Sequence, residues 1–362
     1  MSDLQKELGV VRDEIDSIDG QLLELLNKRA RCAQKVGEIK AKHGEAGFIY
    51  RPEREAQVLR RIQEINPGPL SNENVTWLFR EVMSTCLSLE QPLSVAFLGP
   101  LGSFTGSAAT KHFGHAARLL PQTSIDDVFR EVEAGHAHYA VVPVENSTEG
   151  AVGRSMDLLF ATPLRVCGEV VLRIHQNLMT REASLDKVTK VYSHAQSLAQ
   201  CHEWLNRNLP NVPRISVGSN SQAAEMAMQE EGAAAIAGEA AAERFNVPIL
   251  VANIEDEPNN TTRFLVLGRH DAGVSGRDKT SLIMSAPNRT GSLHGLLLPL
   301  AEAGVSMTRL ESRPARHTLW DYVFFVDIDG HQDEPKVAKA LAELKQQAAY
   351  LKVLGSYPSA VY

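Results

Sequence analysis

LQKELGVVRDEIDSIDGQLLELLNKRARCAQKVGEIK, residues 4–40, places apolar or near-apolar side chains at alternating spacings of three and four. The series runs Leu4, Leu8, Val11, Ile15, Ile18, Leu22, Leu25, then Arg29, Cys32, Val36 and Ile39. It predicts one amphipathic helix of about 36 to 40 residues, roughly 55 to 60 Å long at 1.5 Å per residue. Arg29 stands where a core residue belongs. A guanidinium buried alone is costly, so Arg29 must be paired or face a cavity. Arg12 and Lys40 flank the same stripe near its ends. Three cations turned toward an interior point to a site for a small dianion.

Arg12 lies 17 residues before Arg29, about 25 Å along a straight helix. Both cannot reach one small ligand unless the helix bends or another subunit supplies one of them. A helical homodimer with shared sites is therefore expected.

Outward from this helix, residues 1–92 read as helical throughout. A second helix starts at Pro52, favourable in a first turn, and a third is capped by Ser71 or Asn72. The pattern then changes to strands alternating with helices, from the strand Ser94–Leu98 to the strand Phe264–Leu267, which argues α/β. A linker over 270–279 leads to strands and helices in the order β-α-β-β-α-β, the ferredoxin-like arrangement.

The chain of 362 residues has room for two or three domains. A net charge of −7 gives no general support to a nucleic-acid or anionic-membrane role. No run of 18 apolar residues could span a membrane, and no basic-then-apolar leader opens the sequence. Cys32, Cys86, Cys167 and Cys201 are scattered and match no disulfide or metal framework. A cytoplasmic location is the expectation. His136-x-His138 and His112-x-x-His115 lack acidic or cysteine partners nearby, so no metal and no cofactor is expected.

Residues 1–92 resemble the all-helical chorismate mutases, on Arg12-x-x-Ile15-Asp16, Arg29, Val36-Gly37, Lys40 and Pro52-Glu53-Arg54-Glu55. The resemblance implies that Arg12 of the partner subunit, Arg29 and Arg54 hold the two carboxylates of chorismate. Lys40 would bond its ether oxygen and Glu55 its ring hydroxyl. Arg51 stands where some relatives carry an acidic residue, and Glu90 where enteric relatives carry glutamine opposite the ether oxygen. The rearrangement to prephenate is pericyclic and needs no nucleophile or base. Catalysis comes from holding a compact conformer and placing donors where negative charge grows. Only a protonated Glu90 could donate there, which implies mutase turnover that falls as pH rises.

Residues 94–269 resemble the catalytic segment of prephenate dehydratase. The matching stretches are Gly99-Pro100-x-Gly102-Ser103-Phe104, Val142-Pro143-Val144-Glu145-Asn146-Ser147, Tyr192-Ser193-His194-x-Gln196, Ala237-Gly238 and Thr261-Thr262-Arg263-Phe264. This implies two α/β lobes with prephenate in the cleft between them. Thr262 would donate to the departing ring hydroxyl and Arg263 would clamp a carboxylate. Ser103, Asn146, Ser147, Thr148, His194, Gln196 and Phe264 are the other expected substrate contacts.

Residues 280–356 resemble an ACT domain, on Gly291-Ser292-Leu293 and Glu311-Ser312-Arg313-Pro314, the family's phenylalanine-binding motifs. Ser292 replaces the usual alanine, and Ser306 falls where asparagine is common.

Together these segments resemble the bifunctional P-proteins. The implied fold is multidomain: an all-α chorismate mutase domain, a bilobal α/β prephenate dehydratase domain and a ferredoxin-like α+β ACT domain. The implied function converts chorismate to prephenate and then to phenylpyruvate, with L-phenylalanine as feedback effector. A non-enzymatic amino-acid or carboxylate sensor is the reading from a different class. Arg29, Lys40, Arg54 and Thr262 argue against it, because simple sensing does not explain both catalytic constellations.

Overall fold

The computed structural model describes residues 3–44, 50–286, 289–314 and 322–361. The chain opens with α1 (Asp3–Lys42), α2 (Pro52–Ile65) and α3 (Asn72–Ser88). α1 is one unbroken helix of 40 residues, as its apolar spacing requires. It packs on α3, which also packs on α2. None of its side chains is buried, and Ile15, Ile18 and Leu22 are each about half exposed. An apolar stripe left bare over this length calls for a cover from outside the chain. Pro52 occupies the first turn of α2, and the Ser71 hydroxyl caps α3 by accepting from Asn74 N at 3.2 Å.

The next part contains two sheets. The first is built from β1 (Ser94–Leu98), α4 (Phe104–Phe113), β2 (Arg118–Gln122), α5 (Ile125–Glu133), β3 (Tyr139–Asn146), β4 (Gly150–Ala151), α6 (Gly153–Ala161) and β5 (Arg165–Arg173). The chain then crosses to a second lobe holding β6 (Asn177–Thr180), β7 (Lys190–Ser193), α7 (Ala195–Gln200), α8 (His202–Asn208), β8 (Arg214–Ser216), α9 (Asn220–Gln229), β9 (Ala233–Ala237), α10 (Glu239–Phe245) and β10 (Ile249–Val251). It returns as β11 (Thr261–Gly268), which inserts between β3 and β5. The strand orders are β2-β1-β3-β11-β5 and β10-β6-β9-β7-β8. The helix expected over 196–208 divides at Cys201, while β2, α5, α6, β6 and β10 were not anticipated from the sequence.

The last sheet has the order β13-β14-β12-β15, from β12 (Asp278–Ser285), α11 (Ser292–Glu302), β13 (Met307–Pro314), β14 (Tyr322–Asp329), α12 (Pro335–Gln347) and β15 (Tyr350–Pro358). This is the expected β-α-β-β-α-β order. Alternation sends Leu282 and Met284 toward α11 and α12, and Ile283 the other way. There Ile283, Phe325, Leu354 and Tyr357 share a core with Val144, Met156, Leu159 and Leu265 of the α/β part. Both faces are thus covered over β12 and the second half of β14, while the edge strand β13 stays largely exposed.

Candidate active sites

A cavity of about 420 Å³ lies against the three N-terminal helices, lined by Arg29, Lys40, Arg51, Arg54, Glu55 and Glu90. Arg29 and Lys40 reach it from α1, and Arg54 and Glu55 from the first turns of α2. The misfit in the apolar stripe therefore has its cavity. Arg12 is exposed and absent from this lining, as its distance along α1 demands. Lys40 Nζ donates to Glu90 Oε1 at 3.4 Å. Gly37 gives Glu90 its room: a Cβ there would sit 2.6 Å from Glu90 Cγ and 3.0 Å from its Cδ. Gly37→Ala is therefore expected to lower mutase kcat at least tenfold and leave the dehydratase rate unchanged, in parallel assays of one preparation. Equal loss in both assays would count against a local effect.

Glu55 turns its back on a second contact. Arg80 Nε, from α3, lies 3.4 Å from Glu55 Oε1. Burial raises the Glu55 carboxyl above the usual carboxylate range, against the lowering pull of Arg80 and Tyr50. The neighbouring His112 is pushed down to about 3 by burial and by Arg80, so its ring is neutral, and its Nε2 lies 3.1 Å from the Tyr50 hydroxyl.

The second site is a cleft of about 350 Å³ between the two α/β lobes. Ser103, Phe104, Asn146, Thr262 and Phe264 line it from one side, and His194, Gln196, Ser197, Gln200 and Asn220 from the other. Thr262 and Asn146 are direct cross-strand partners on β11 and β3. The hydrogen bonds fix which way this pair points. Asn146 Oδ1 accepts from Thr148 N, Thr148 Oγ1 and Glu149 N, at 3.0, 2.6 and 3.2 Å. Backbone N–H groups can only donate, so the amide cannot be reversed. Its Nδ2 must then donate, to Asn260 Oδ1 and to Thr262 Oγ1, both at 2.8 Å. The Thr262 hydroxyl accepts from Asn146, which leaves its own proton to donate.

Three expected cleft residues stand elsewhere. Arg263 follows Thr262 on β11 and so points to the opposite face of the sheet. Its guanidinium meets Glu169 at 3.0 Å, the Tyr357 hydroxyl at 2.9 Å, and Asp327. Burial pulls its pKa down, but Tyr357, Asp327 and Glu169 outweigh that and raise it. The expectation of a cleft-facing carboxylate clamp is corrected on this geometry. Ser147 ties β3 to β11, accepting from Thr261 N at 2.9 Å, and Thr148 supports Asn146; neither lines the cleft. Ser103 lines it while its hydroxyl caps α4 through Gly106 N. His194 caps α7 and holds Asn220 Oδ1 by its own N–H at 3.0 Å.

Ser197, Gln200, Gln176 and Asn220 were not among the expected contacts. Ser197 Oγ accepts from Gln176 Nε2 at 2.9 Å and Asn220 Nδ2 at 2.8 Å, which again leaves a hydroxyl proton for the cleft. Ser197 and Gln200 follow His194 at steps of three along α7, a helical spacing that could have found them. Gln176 belongs to the crossover between lobes and carries no sequence signal.

On the C-terminal sheet, Gly291 starts α11 with a φ of +78°, a conformation that favours glycine. Ser292 Oγ donates to Arg289 O at 2.8 Å, and Leu293 packs on the core beneath the helix. Glu311, Ser312, Arg313 and Pro314 close the edge strand β13, and the Ser306 carbonyl accepts from Asp329 N at 2.9 Å. Arg313 donates to Gly153 O at 2.7 Å, so this segment also braces α6.

Two separate sites, one ringed by cations and one built on positioned hydroxyls and amides, with a ferredoxin-like sheet docked behind the second, describe a two-centre enzyme. Family models match in the same order: chorismate mutase type II over 11–91, prephenate dehydratase over 95–272 and the ACT domain over 280–346. The chain is 54% identical to a bifunctional chorismate mutase/prephenate dehydratase of Neisseria gonorrhoeae, over 97% of this chain and 96% of that one. It is 51% identical to the protein of the same description from Pseudomonas aeruginosa, over 99% of both. A crystal structure of prephenate dehydratase from Arthrobacter aurescens, in complex with L-Phe, covers 74% of this chain and 90% of its own, with TM-score 0.67 and 33% identity. The chain belongs to the bifunctional chorismate mutase/prephenate dehydratase family. Among the described residues no helix is long and apolar enough to cross a membrane.

Proposed function

We propose that the helical cavity rearranges chorismate to prephenate and that the interlobe cleft converts prephenate to phenylpyruvate, releasing CO₂ and water. The three units we assign are residues 1–92, 94–269 and 280–356, in a cytoplasmic homodimer. One observation supports this most strongly. A hydroxyl whose proton is left free by a fixed amide faces a cleft in the same chain that carries a separate cation-lined cavity.

In the mutase, Arg29 and Arg54 take the carboxylates together with Arg12 of the partner subunit, supplied across the bare stripe of α1. Arg51 stands at the mouth, Lys40 and Glu90 bracket the ether oxygen, and Glu55 takes the ring hydroxyl. In the dehydratase, Thr262 donates to the leaving hydroxyl. A fully charged alkoxide is not needed, because aromatisation already makes the reaction strongly downhill. Among the described residues no arginine or lysine lines the cleft, so the substrate carboxylates would meet backbone N–H groups at the starts of α4 and α9.

L-phenylalanine as effector rests on Gly291-Ser292-Leu293 and Glu311-Ser312-Arg313-Pro314. It must bind active and inhibited states with different affinity. Deleting the chain after Lys279 would uncover the core that Ile283, Phe325 and Leu354 share with the α/β part. A point change is the better test. Gly291→Val, at a left-handed position, is expected to raise the half-inhibiting L-phenylalanine concentration at least tenfold with basal rates within twofold. Unaltered inhibition would sink the effector assignment.

The whole reading is tested by incubating purified protein with chorismate and following chorismate, prephenate and phenylpyruvate separately. Sedimentation on the same sample tests the dimer. A monomer with full mutase activity would remove the shared site.

A further inference from the structure

Resting on the reading of Glu55 as a mutase-site residue, we propose that the C-terminal segment Ser359–Val361 is a strap that positions Glu55 through Arg80. The strap ties one reaction site to the opposite end of the chain. Four observations place it there.

Arg80 is held at both ends. Its Nε lies 3.4 Å from Glu55 Oε1, and its Nη2 donates to the Val361 carbonyl at 3.5 Å. Its side chain is only 14% exposed and that of Glu55 only 15%, so neither is a loose surface group. Pro358 through Val361 form one wall of a cavity of about 50 Å³, whose other wall includes Glu55, Arg80 and Tyr50. Glu55 and Tyr50 also line the mutase cavity. One layer of side chains therefore separates the C-terminal segment from the mutase site.

The strap is itself anchored. Ala360 N donates to Glu169 Oε1 at 3.3 Å, Ser359 N donates to Arg277 O at 3.0 Å, and the Ser359 carbonyl accepts from Arg60 Nη2 at 3.2 Å. Arg60 belongs to α2, the helix that carries Glu55, and also grips Ser275 and Arg277. The strap continues directly from β15, an edge strand of the C-terminal sheet, so a displacement of that sheet reaches Glu55 without crossing the dehydratase cleft. Arg80 acts here as a positioning residue: it touches Glu55 and no expected substrate atom.

The test compares the chain ended after Pro358, Arg80→Met, the two combined, Arg80→Lys, Val361→Ala and Glu55→Gln. Mutase kcat and KM are measured, with the dehydratase rate of Arg80→Met on prephenate as control. The shortened chain and Arg80→Met are each expected to raise KM for chorismate about tenfold or more, with a smaller change in kcat. In combination they are expected to be no worse than either alone, because they break one connection. Arg80→Lys should recover part of the loss. Val361→Ala should change nothing, since only the main-chain carbonyl is used. Arg80→Met should leave the dehydratase rate within twofold.

Unchanged mutase constants in the shortened chain overturn the strap. If that chain fails to fold, unchanged constants in Arg80→Met overturn it equally. Glu55→Gln separates the two levels. A loss there with none in Arg80→Met removes the strap and keeps the mutase reading of Glu55. No loss there removes that reading, and the strap with it.

Discussion

Thr262→Ala is expected to lower dehydratase turnover by about 10²- to 10³-fold, the usual consequence of deleting one preorganised donor from a developing charge. Mutase turnover should stay at its original value, because Thr262 lies in the other site. The loss has a definite structural origin. The Thr262 hydroxyl is the cleft donor whose direction is fixed by Asn146, and Asn146 is locked in turn by Thr148 and Glu149. Thr262→Ser keeps the donor and should retain most of the rate. Asn146→Ala removes the group that orients the hydroxyl and should lie between the two. Prephenate consumption by Thr262→Ala at more than a tenth of the original kcat would show that hydroxide leaves without this residue.

Arg263→Met carries the largest expected effect on stability. Glu169 and Asp327 are only 2% and 7% exposed at the side chain, and both face the Arg263 guanidinium. Removing one partner of a buried ion pair costs about 3 to 5 kcal/mol, because a charge is left without compensation. Lys279 remains 2.6 Å from Glu169, so Asp327 is the orphan. Adding Asp327→Asn should return part of the loss, and denaturant unfolding of the single and double variants measures it. Intact stability with a raised KM for prephenate would instead restore Arg263 to the cleft.

Much of this architecture was legible in the residues. A three-four apolar repeat sustained over α1 can only be a long helix, and Arg29 within it announced a cavity. The C-terminal sheet was readable because each of its strands and helices carries its own period. The direction of Arg263 is written in the same sequence. Thr262, Arg263 and Phe264 are consecutive in a strand, and successive side chains of a strand point to opposite faces. Assigning Thr262 and Phe264 to the cleft already excluded Arg263 from it.

Other features had no local signal. Asp327 and Ser281 are buried polar groups on the C-terminal sheet that bond to each other across β12 and β14, and their further partners are Arg263 of the α/β part and Tyr357 of β15. Gln176 meets Ser197 and Gln200 only because the crossover between lobes passes beneath α7. Such encounters depend on how distant segments dock, which no periodicity records.

The second lobe owes its tightness to alanine. β9 consists of Ala233, Ala234, Ala235, Ile236 and Ala237, all buried, and it packs on Ala223, Ala224 and Ala227 of α9. Methyl groups meeting across this helix and strand let the two backbones pack closely, with Met179, Tyr192 and Val247 completing the core around them. Only two passages join it to its neighbour, and they are pinned together where Ile174 N meets Asn260 O and Ile254 N meets Gln176 O, each at 2.8 Å. That pin lies a few residues from Thr262, and the lobes also meet where Ser221 Oγ donates to Leu101 O at 2.9 Å and Gln200 Nε2 to Glu149 Oε1 at 3.1 Å, so the gape of the cleft is shared between the pin and these bridges.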